Sequence, residues 1–236
     1  MSSLFITGGN RGIGLGIVRE FLKDQNFKHI IASTRNAKTA DDLIAIKDKR
    51  LHIIEMDTSS DDSIKAALPK VEAIVGSAGL DILINNAGIT ERYPLNGPIE
   101  REKLHRVYDT NTVGSLIVTQ VFLPLVKKSK NPKVIMISSE LGSIGASHGS
   151  KEVGIVAYSM SKSALNQLMK TLAVDYANEP IIFASFCPGH NATNLNKFRG
   201  VLKVEETTPV LVDSIKKLTK ANSGGCFDRH LRPIPY

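Results

Sequence analysis

Two cysteines, Cys187 and Cys226, are all that this 236-residue chain contains, and tryptophan is absent. A pair of thiols builds no disulfide framework, and their spacing matches no metal site, so both are read as small buried apolar residues. No uninterrupted apolar run approaches the roughly 18 residues a membrane span needs. No stretch repeats and no Gly/Ser/Pro-rich linker divides the chain, so one domain over residues 1–236 is expected. The first apolar run follows directly on Met1-Ser2-Ser3, leaving no room for a secretory signal. A cytoplasmic protein with no membrane partner is the expectation. Aromatics make up only 6% and do not interleave with the basic clusters Lys127, Lys128, Lys130 and Lys133, or Lys216, Lys217 and Lys220. A stacking platform for single-stranded nucleic acid needs that interleaving. The net charge of +7 and the pI near 9.4 are therefore read as a solvated surface, with no nucleic-acid partner.

What is present is a globular composition, 42% hydrophobic and 22% charged, in which short apolar strands alternate with helical patterns. Strands are predicted at residues 4–7, 29–33, 51–55, 82–85, 133–138, 181–187 and 226–227. This alternation predicts an α/β fold: a doubly wound parallel sheet of about seven strands with helices on both faces, of the Rossmann type. Ligands of such sheets bind in the crevice at the carboxyl ends of the strands. Thr7, Ser33, Asn85, Ser139 and Cys187 all fall at or near such ends.

The first strand runs into Thr7-Gly8-Gly9-Asn10-Arg11-Gly12-Ile13-Gly14, and a helical apolar pattern follows. Glycines let backbone N–H groups close on a pyrophosphate, while the helix N-terminus supplies partial positive charge. The turn reads as a dinucleotide cradle; a tight packing corner is the plainer alternative. Downstream, Tyr158 and Lys162 lie four residues apart on a helix predicted from 157 to 176, whose apolar face carries Ala164, Leu165, Leu168, Met169, Leu172 and Ala173. That spacing puts both on one side, one turn apart. An ammonium beside a phenol favours phenolate and lowers its pKa from about 10. A tyrosine so tuned can pass a proton to or from a carbonyl or alcohol oxygen.

Together the two motifs resemble the short-chain dehydrogenase/reductase family, and matches extend along nearly the whole chain. Asn85-Asn86-Ala87-Gly88 looks like the family segment that steadies the central strand beside the cofactor. Asn111 matches a catalytic asparagine and Ser139, rather than Ser138, a catalytic serine. Pro188-Gly189 with Thr193 is similar to the loop over the nicotinamide. A narrower likeness, to carbonyl reductases of the sniffer type, rests on the glycine-turn wording, on Leu141-Gly142-Ser143-Ile144 and on Gly224-Gly225-Cys226-Phe227. Nineteen positions separate Ser139 from Tyr158, longer than in the wider family, so residues 145–156 hold an extra loop. His190 and Asn191 replace the usual aromatic and aliphatic residues.

The resemblance implies NADPH-dependent reduction of a carbonyl, with a small-molecule carbonyl or alcohol as substrate. Tyr158 gives the proton, Ser139 hydrogen-bonds the oxygen, and Lys162 tunes Tyr158 and binds the nicotinamide ribose. Asn111 holds a water for proton resupply. A cap for Ser139 and a helix-kink bond for Asn111 are the structural alternatives. The expected cofactor contacts are Gly8, Asn10, Arg11, Gly12, Ile13, Gly14, Arg35, Asp57, Thr58, Asn86, Ala87, Gly88, Tyr158, Lys162, Pro188, Gly189 and Thr193. At the second strand's end Ser33-Thr34-Arg35-Asn36 carries no carboxylate, and Arg35 and Arg11 can fork onto a 2′-phosphate, so NADP(H) is favoured over NAD(H). Asp57 either contacts adenine or caps the next helix. Residues 188–210 are expected to form most of a substrate lid lined by Leu195, Phe198, Val201 and Leu202. A homodimer is expected through the helices at 100–128 and 157–178. The end, 228–236, would close a neighbour's site or block tetramers. A dinucleotide sensor without turnover is the alternative function.

Overall fold

The computed structural model describes residues 2–146 and 154–236. Strand β1 (Ser2–Ile6) leads through the glycine turn into helix α1 (Gly12–Leu22), then β2 (Phe27–Thr34), a short α2 (Asp41–Ile44) and β3 (Leu51–Glu55). Helix α3 (Asp61–Val75) and β4 (Ile82–Asn85) follow. The next helical stretch is α4 (Arg101–Tyr108), a π turn (Asp109–Val113) and α5 (Gly114–Lys127). Then come β5 (Lys133–Ile137), α6 (Val156–Asp175), β6 (Ile182–Cys187), α7 (Val204–Lys217) and β7 (Gly225–Asp228). All seven strands are parallel, in the order β3-β2-β1-β4-β5-β6-β7.

Alternation along each strand distributes the core over two faces. Leu4 and Ile6 of β1, Ile82 and Ile84 of β4, and Ile135 of β5 pack with Ile17 and Phe21 of α1 and Leu211 and Ile215 of α7. The intervening Phe5, Leu83, Val134 and Met136 meet Val71 of α3, Phe122 of α5 and Met169 of α6. Helix starts have local causes. The Ser60 hydroxyl accepts from the Ser63 N–H (3.3 Å), and Asp61 and Asp62 complement the dipole of α3.

The predicted strands all form, two of them with the expected bounds and the rest within two residues. Two expectations need correction. The helix predicted over 100–128 is interrupted at Asp109–Val113, where one turn widens to π geometry. The region 188–210 is not all lid, because α7 begins at Val204 and packs on α1. A Cβ at Gly16 would stand 2.6 Å from Val204 and 2.7 Å from Thr208. The segment 228–236 folds back onto its own chain. Most of the extra loop, residues 147–153, lies outside the described residues.

Candidate active site

The glycine turn is latched to the end of β4. Thr7 Oγ1 accepts from the N–H groups of Asn86 and Ala87, both at 3.0 Å, while Asn86 Nδ2 donates to the carbonyls of Thr7 (2.9 Å) and Gly8 (3.0 Å). Asn86 and Ala87, expected as cofactor contacts, thus commit these groups to holding the turn. A Cβ at Gly14 would stand 2.2 Å from the Gly8 carbonyl oxygen, so close backbone approach explains that glycine. Helix α1 starts at Gly12 with no side-chain cap from Arg11 and no carboxylate in its first turn. Its N–H groups and dipole suit an anion, and the turn fits a pyrophosphate. Asn10, Gly12 and Ile13 line this turn, and Thr193 stands over Gly12, with its Cγ2 3.4 Å from where a Cβ would be.

Beyond the turn, Arg11 and Arg35 are exposed, at the two segments expected to meet a 2′-phosphate. Sequence reasoning missed Glu55, which pairs with Thr34 across β2 and β3 and accepts the Ala37 N–H at 3.2 Å. That carboxylate orders the loop carrying Arg35. Asp57 accepts from Ser59 N (2.9 Å) and Ser59 Oγ (2.7 Å), a turn bond in line with the capping alternative, although Ser60 is the residue that caps α3. The buried Thr58 presses its carbonyl against α5, where a Cβ on Gly114 would lie 2.3 Å away.

Ser139, Tyr158 and Lys162 come together at the ends of β5 and β6. Ser139 accepts from Leu141 N (3.2 Å), capping a short turn at Glu140–Gly142, and lies near enough to the Tyr158 side chain to lower its pKa. The cap expected as its structural alternative is therefore present. Ser138 is buried, and its hydroxyl has no partner among the described residues. Lys162, 4% exposed, donates to the Ile137 carbonyl at 2.8 Å, with Nζ 5.6 Å from the Tyr158 ring centre. A Cβ at Gly88 would stand 3.7 Å from Lys162 Nζ and 3.2 Å from Asn111 Oδ1, so the segment after β4 passes close to both side chains.

The buried Asn111 lies in the π turn and ties α6 to the segment after β4. Its Oδ1 accepts from Ile89 N (2.8 Å), and its Nδ2 donates to Ile89 O and Ser161 Oγ, both at 2.9 Å. The side-chain amide therefore serves as a tie, as the helix-kink alternative suggested, rather than pointing to solvent. Cys187, read from the sequence as a small buried residue at a strand end, is buried beside Tyr158 and Lys162 and accepts from Glu140 N at 3.1 Å, which ties the serine loop to the end of β6. Over this site, residues 190–203 carry the exposed Leu195, Phe198 and Val201, and Asn191 Nδ2 donates to the carbonyls of Pro188 (2.9 Å) and Gly189 (3.0 Å).

Burial dominates the titration of the pair. It holds Tyr158 well above the ordinary phenol value, against the lowering that the nearby Ser139 supplies. Burial also brings Lys162 down to about 8. For Tyr158 the largest cause is desolvation of the phenolate, while the Lys162 ammonium is held on the Ile137 carbonyl.

A parallel seven-stranded sheet with a glycine-turn cradle and a Ser–Tyr–Lys cluster at its carboxyl edge defines a dinucleotide-dependent oxidoreductase class. A family model for short chain dehydrogenases matches residues 3–200. The chain belongs to that family, whose chemistry is oxidoreduction. It is similar to the Sniffer protein of Caenorhabditis elegans, at 38% identity and a TM-score of 0.91 with both chains covered in full. It is also similar to the carbonyl reductase Sniffer of D. melanogaster, at 32% identity and a TM-score of 0.93, again over all of both chains. The NADPH-bound carbonyl reductase from chicken fatty liver is 29% identical with a TM-score of 0.94, covering 100% of this chain and 99% of that one.

Proposed function

We propose that this protein reduces the carbonyl of an aldehyde, ketone or quinone to an alcohol with NADPH, with Tyr158 as the general acid. The observation that carries this reading is the cluster in which Ser139 lies beside the Tyr158 side chain and Lys162 Nζ lies 5.6 Å from the Tyr158 ring centre, next to Gly88. The first turn of α1 with Gly8, Asn10, Gly12, Ile13 and Gly14 would hold the pyrophosphate, Arg35 and Arg11 the 2′-phosphate, and Lys162 the nicotinamide ribose. Asp57 and Thr58 would border the adenine, and Pro188, Gly189 and Thr193 would cover the nicotinamide. When bound, NADPH supplies the hydride.

The residues of the chain manage the oxygen. Tyr158, kept protonated by burial, is poised to give its proton to the carbonyl oxygen as negative charge builds there, which suits reduction. Ser139 hydrogen-bonds the same oxygen, in a site where low polarity strengthens the bond. Lys162, with a pKa of about 8, is mostly protonated at neutral pH and stabilises the phenolate left behind. Asn111 keeps α6 in register with the segment after β4, while its proposed water relay returns the proton. The exposed Leu195, Phe198 and Val201 favour an apolar substrate.

We place the enzyme in the cytosol, a reducing compartment suited to two free thiols. Among the described residues no helix is long and apolar enough to cross a membrane. A homodimer is proposed through α4, α5 and α6, whose outer faces expose Tyr108, Leu116 and Met160.

The test is NADPH oxidation by wild type and Tyr158→Phe across aldehydes, ketones and quinones, with NADH in parallel. Tyr158→Phe is expected to lose roughly 10²–10⁴-fold in rate, the usual worth of a positioned acid. Retained turnover in that variant would remove Tyr158 from its role, and tight NADPH binding by an inactive wild type would favour a dinucleotide sensor. Arg35→Ala should raise the Kd for NADPH by about 10- to 100-fold, the worth of a charge-assisted bond, and leave NADH unaffected.

A further inference from the structure

Tyr158 lies in the first turn of α6, and that turn has little to hold it locally. The residue before the helix, Ile155, gives no side-chain cap, and no carboxylate stands in the turn to complement the helix dipole. Helix starts leave their first N–H groups without intrahelical partners, so an uncapped start depends on bonds from elsewhere in the fold. The segment in front supplies one, where Tyr93 N donates to the Gly154 carbonyl at 2.8 Å. The other hold comes from the helix's next turn.

Ser161 is wholly buried, and its hydroxyl is used twice. Oγ donates to the Tyr158 carbonyl at 2.7 Å and accepts from Asn111 Nδ2 at 2.9 Å. A helical serine often turns its hydroxyl onto a preceding carbonyl without other help. Here the Asn111 amide fills the acceptor side, which commits the hydroxyl proton to Tyr158. Asn111 is itself fixed, because Ile89 bonds it through both N–H (2.8 Å) and carbonyl (2.9 Å). Thr112 Oγ1 also donates to the Ser161 carbonyl at 2.9 Å. Two consecutive residues of the π turn thus hold one residue of α6, by its side chain and by its main chain. A buried line of bonds runs from Ile89 through Asn111 and Ser161 to the backbone of Tyr158. Ser163 makes a useful contrast on the same helix. Its hydroxyl donates to the Ser159 carbonyl at 3.1 Å and, among the described residues, has no bond to the π turn.

We infer that Ser161 is a positioning residue: it couples the π turn to Tyr158 and so sets where the tyrosine stands, an inference that rests on the reductase reading above. Misplacing a reacting group by about 1 Å costs roughly 100-fold in rate, so a single bond to the backbone of the acid is felt in turnover. The experiment compares wild type with Ser161→Ala, Ser161→Cys and Ser163→Ala, each shown to bind one NADPH per chain so that the folded fraction is known. The cysteine variant fills the space of the hydroxyl but donates weakly, which separates a lost bond from a lost contact. Both Ser161 variants should lose about 10- to 100-fold in kcat for a ketone, with KM and the Kd for NADPH within about twofold. Ser163→Ala should keep its kcat within about twofold of wild type. Incorporated 3-fluorotyrosine labels all five tyrosines, and the signal of Tyr158 is assigned by its loss in Tyr158→Phe. That signal should move in Ser161→Ala while the others stay. Combined with Asn111→Ala, Ser161→Ala should cost less than the product of the two separate losses, because both act along one line of bonds. An unchanged kcat, an unmoved Tyr158 signal or losses that simply multiply would overturn the role of Ser161 while an active wild type keeps the reductase reading. An inactive wild type would overturn that reading and the positioning role with it.

Discussion

Tyr158 and Lys162 show how far residue types alone carry an argument. Their spacing on one helix was legible, whereas the preference for Ser139 over Ser138 rested on the family resemblance alone. The protonation balance was not legible, because it depends on how much water the folded chain excludes from the pair. One consequence is measurable without substrate. A lysine at about 8 in the native state, against about 10.5 unfolded, carries a charge penalty that is full below pH 8 and vanishes above 10.5. The urea stability of wild type relative to Lys162→Met should therefore improve as pH rises from 8 to 10. Parallel curves for the two proteins would show that Lys162 is not shifted downward.

At the level of elements, strands were easier to read than the helix between β4 and β5. A π turn adds one residue to a single turn and leaves no mark on apolar periodicity, so 100–128 reads as continuous. What holds the widened turn is tertiary: Asn111 bonded to Ile89 and Ser161, and Gly114 against Thr58. Gly114→Ala would drive a methyl into a backbone carbonyl, and a loss of about 1–3 kcal/mol in urea unfolding is expected. An equally stable variant would mean that α5 shifts freely. The pair formed by β2 and the edge strand β3 carries a second pH response. His29 Nδ1 and His52 Nε2 lie 3.2 Å apart, and burial lowers both pKa values, with His52 further lowering His29. Stability should fall as pH drops below about 6.5, the unfolded value, because protons then bind the unfolded chain first. His52→Gln should flatten that acid limb, and an unaltered limb would assign it to other groups.

For the whole molecule, the sequence pattern was enough for the layers, because parallel strands separated by helices need helices on both faces, while the strand order came from the fold. The pattern was silent on the return of 233–236 to Ser143, since no periodicity marks a segment that bonds by single backbone groups. The outer face of α4 and α6 opens a groove of about 560 Å³ lined by Leu104, Tyr108, Val113, Ala157 and Met160. If a second copy covers it, Met160→Asp should shift the protein from dimer to monomer in light scattering. A wild type that is monomeric at all concentrations would end the homodimer proposal. The central place of β1 also bears on synthesis. The first strand made lies between β2 and β4, and Ser3 bonds Asp81 through both N–H (2.8 Å) and hydroxyl (3.1 Å). At roughly 5–20 residues per second, the stretch from Ile6 to Ile82 takes on the order of 4–15 s to emerge. Throughout that interval the nascent chain carries a nucleus with one raw edge, an open invitation to neighbouring chains that only the arrival of β4 withdraws.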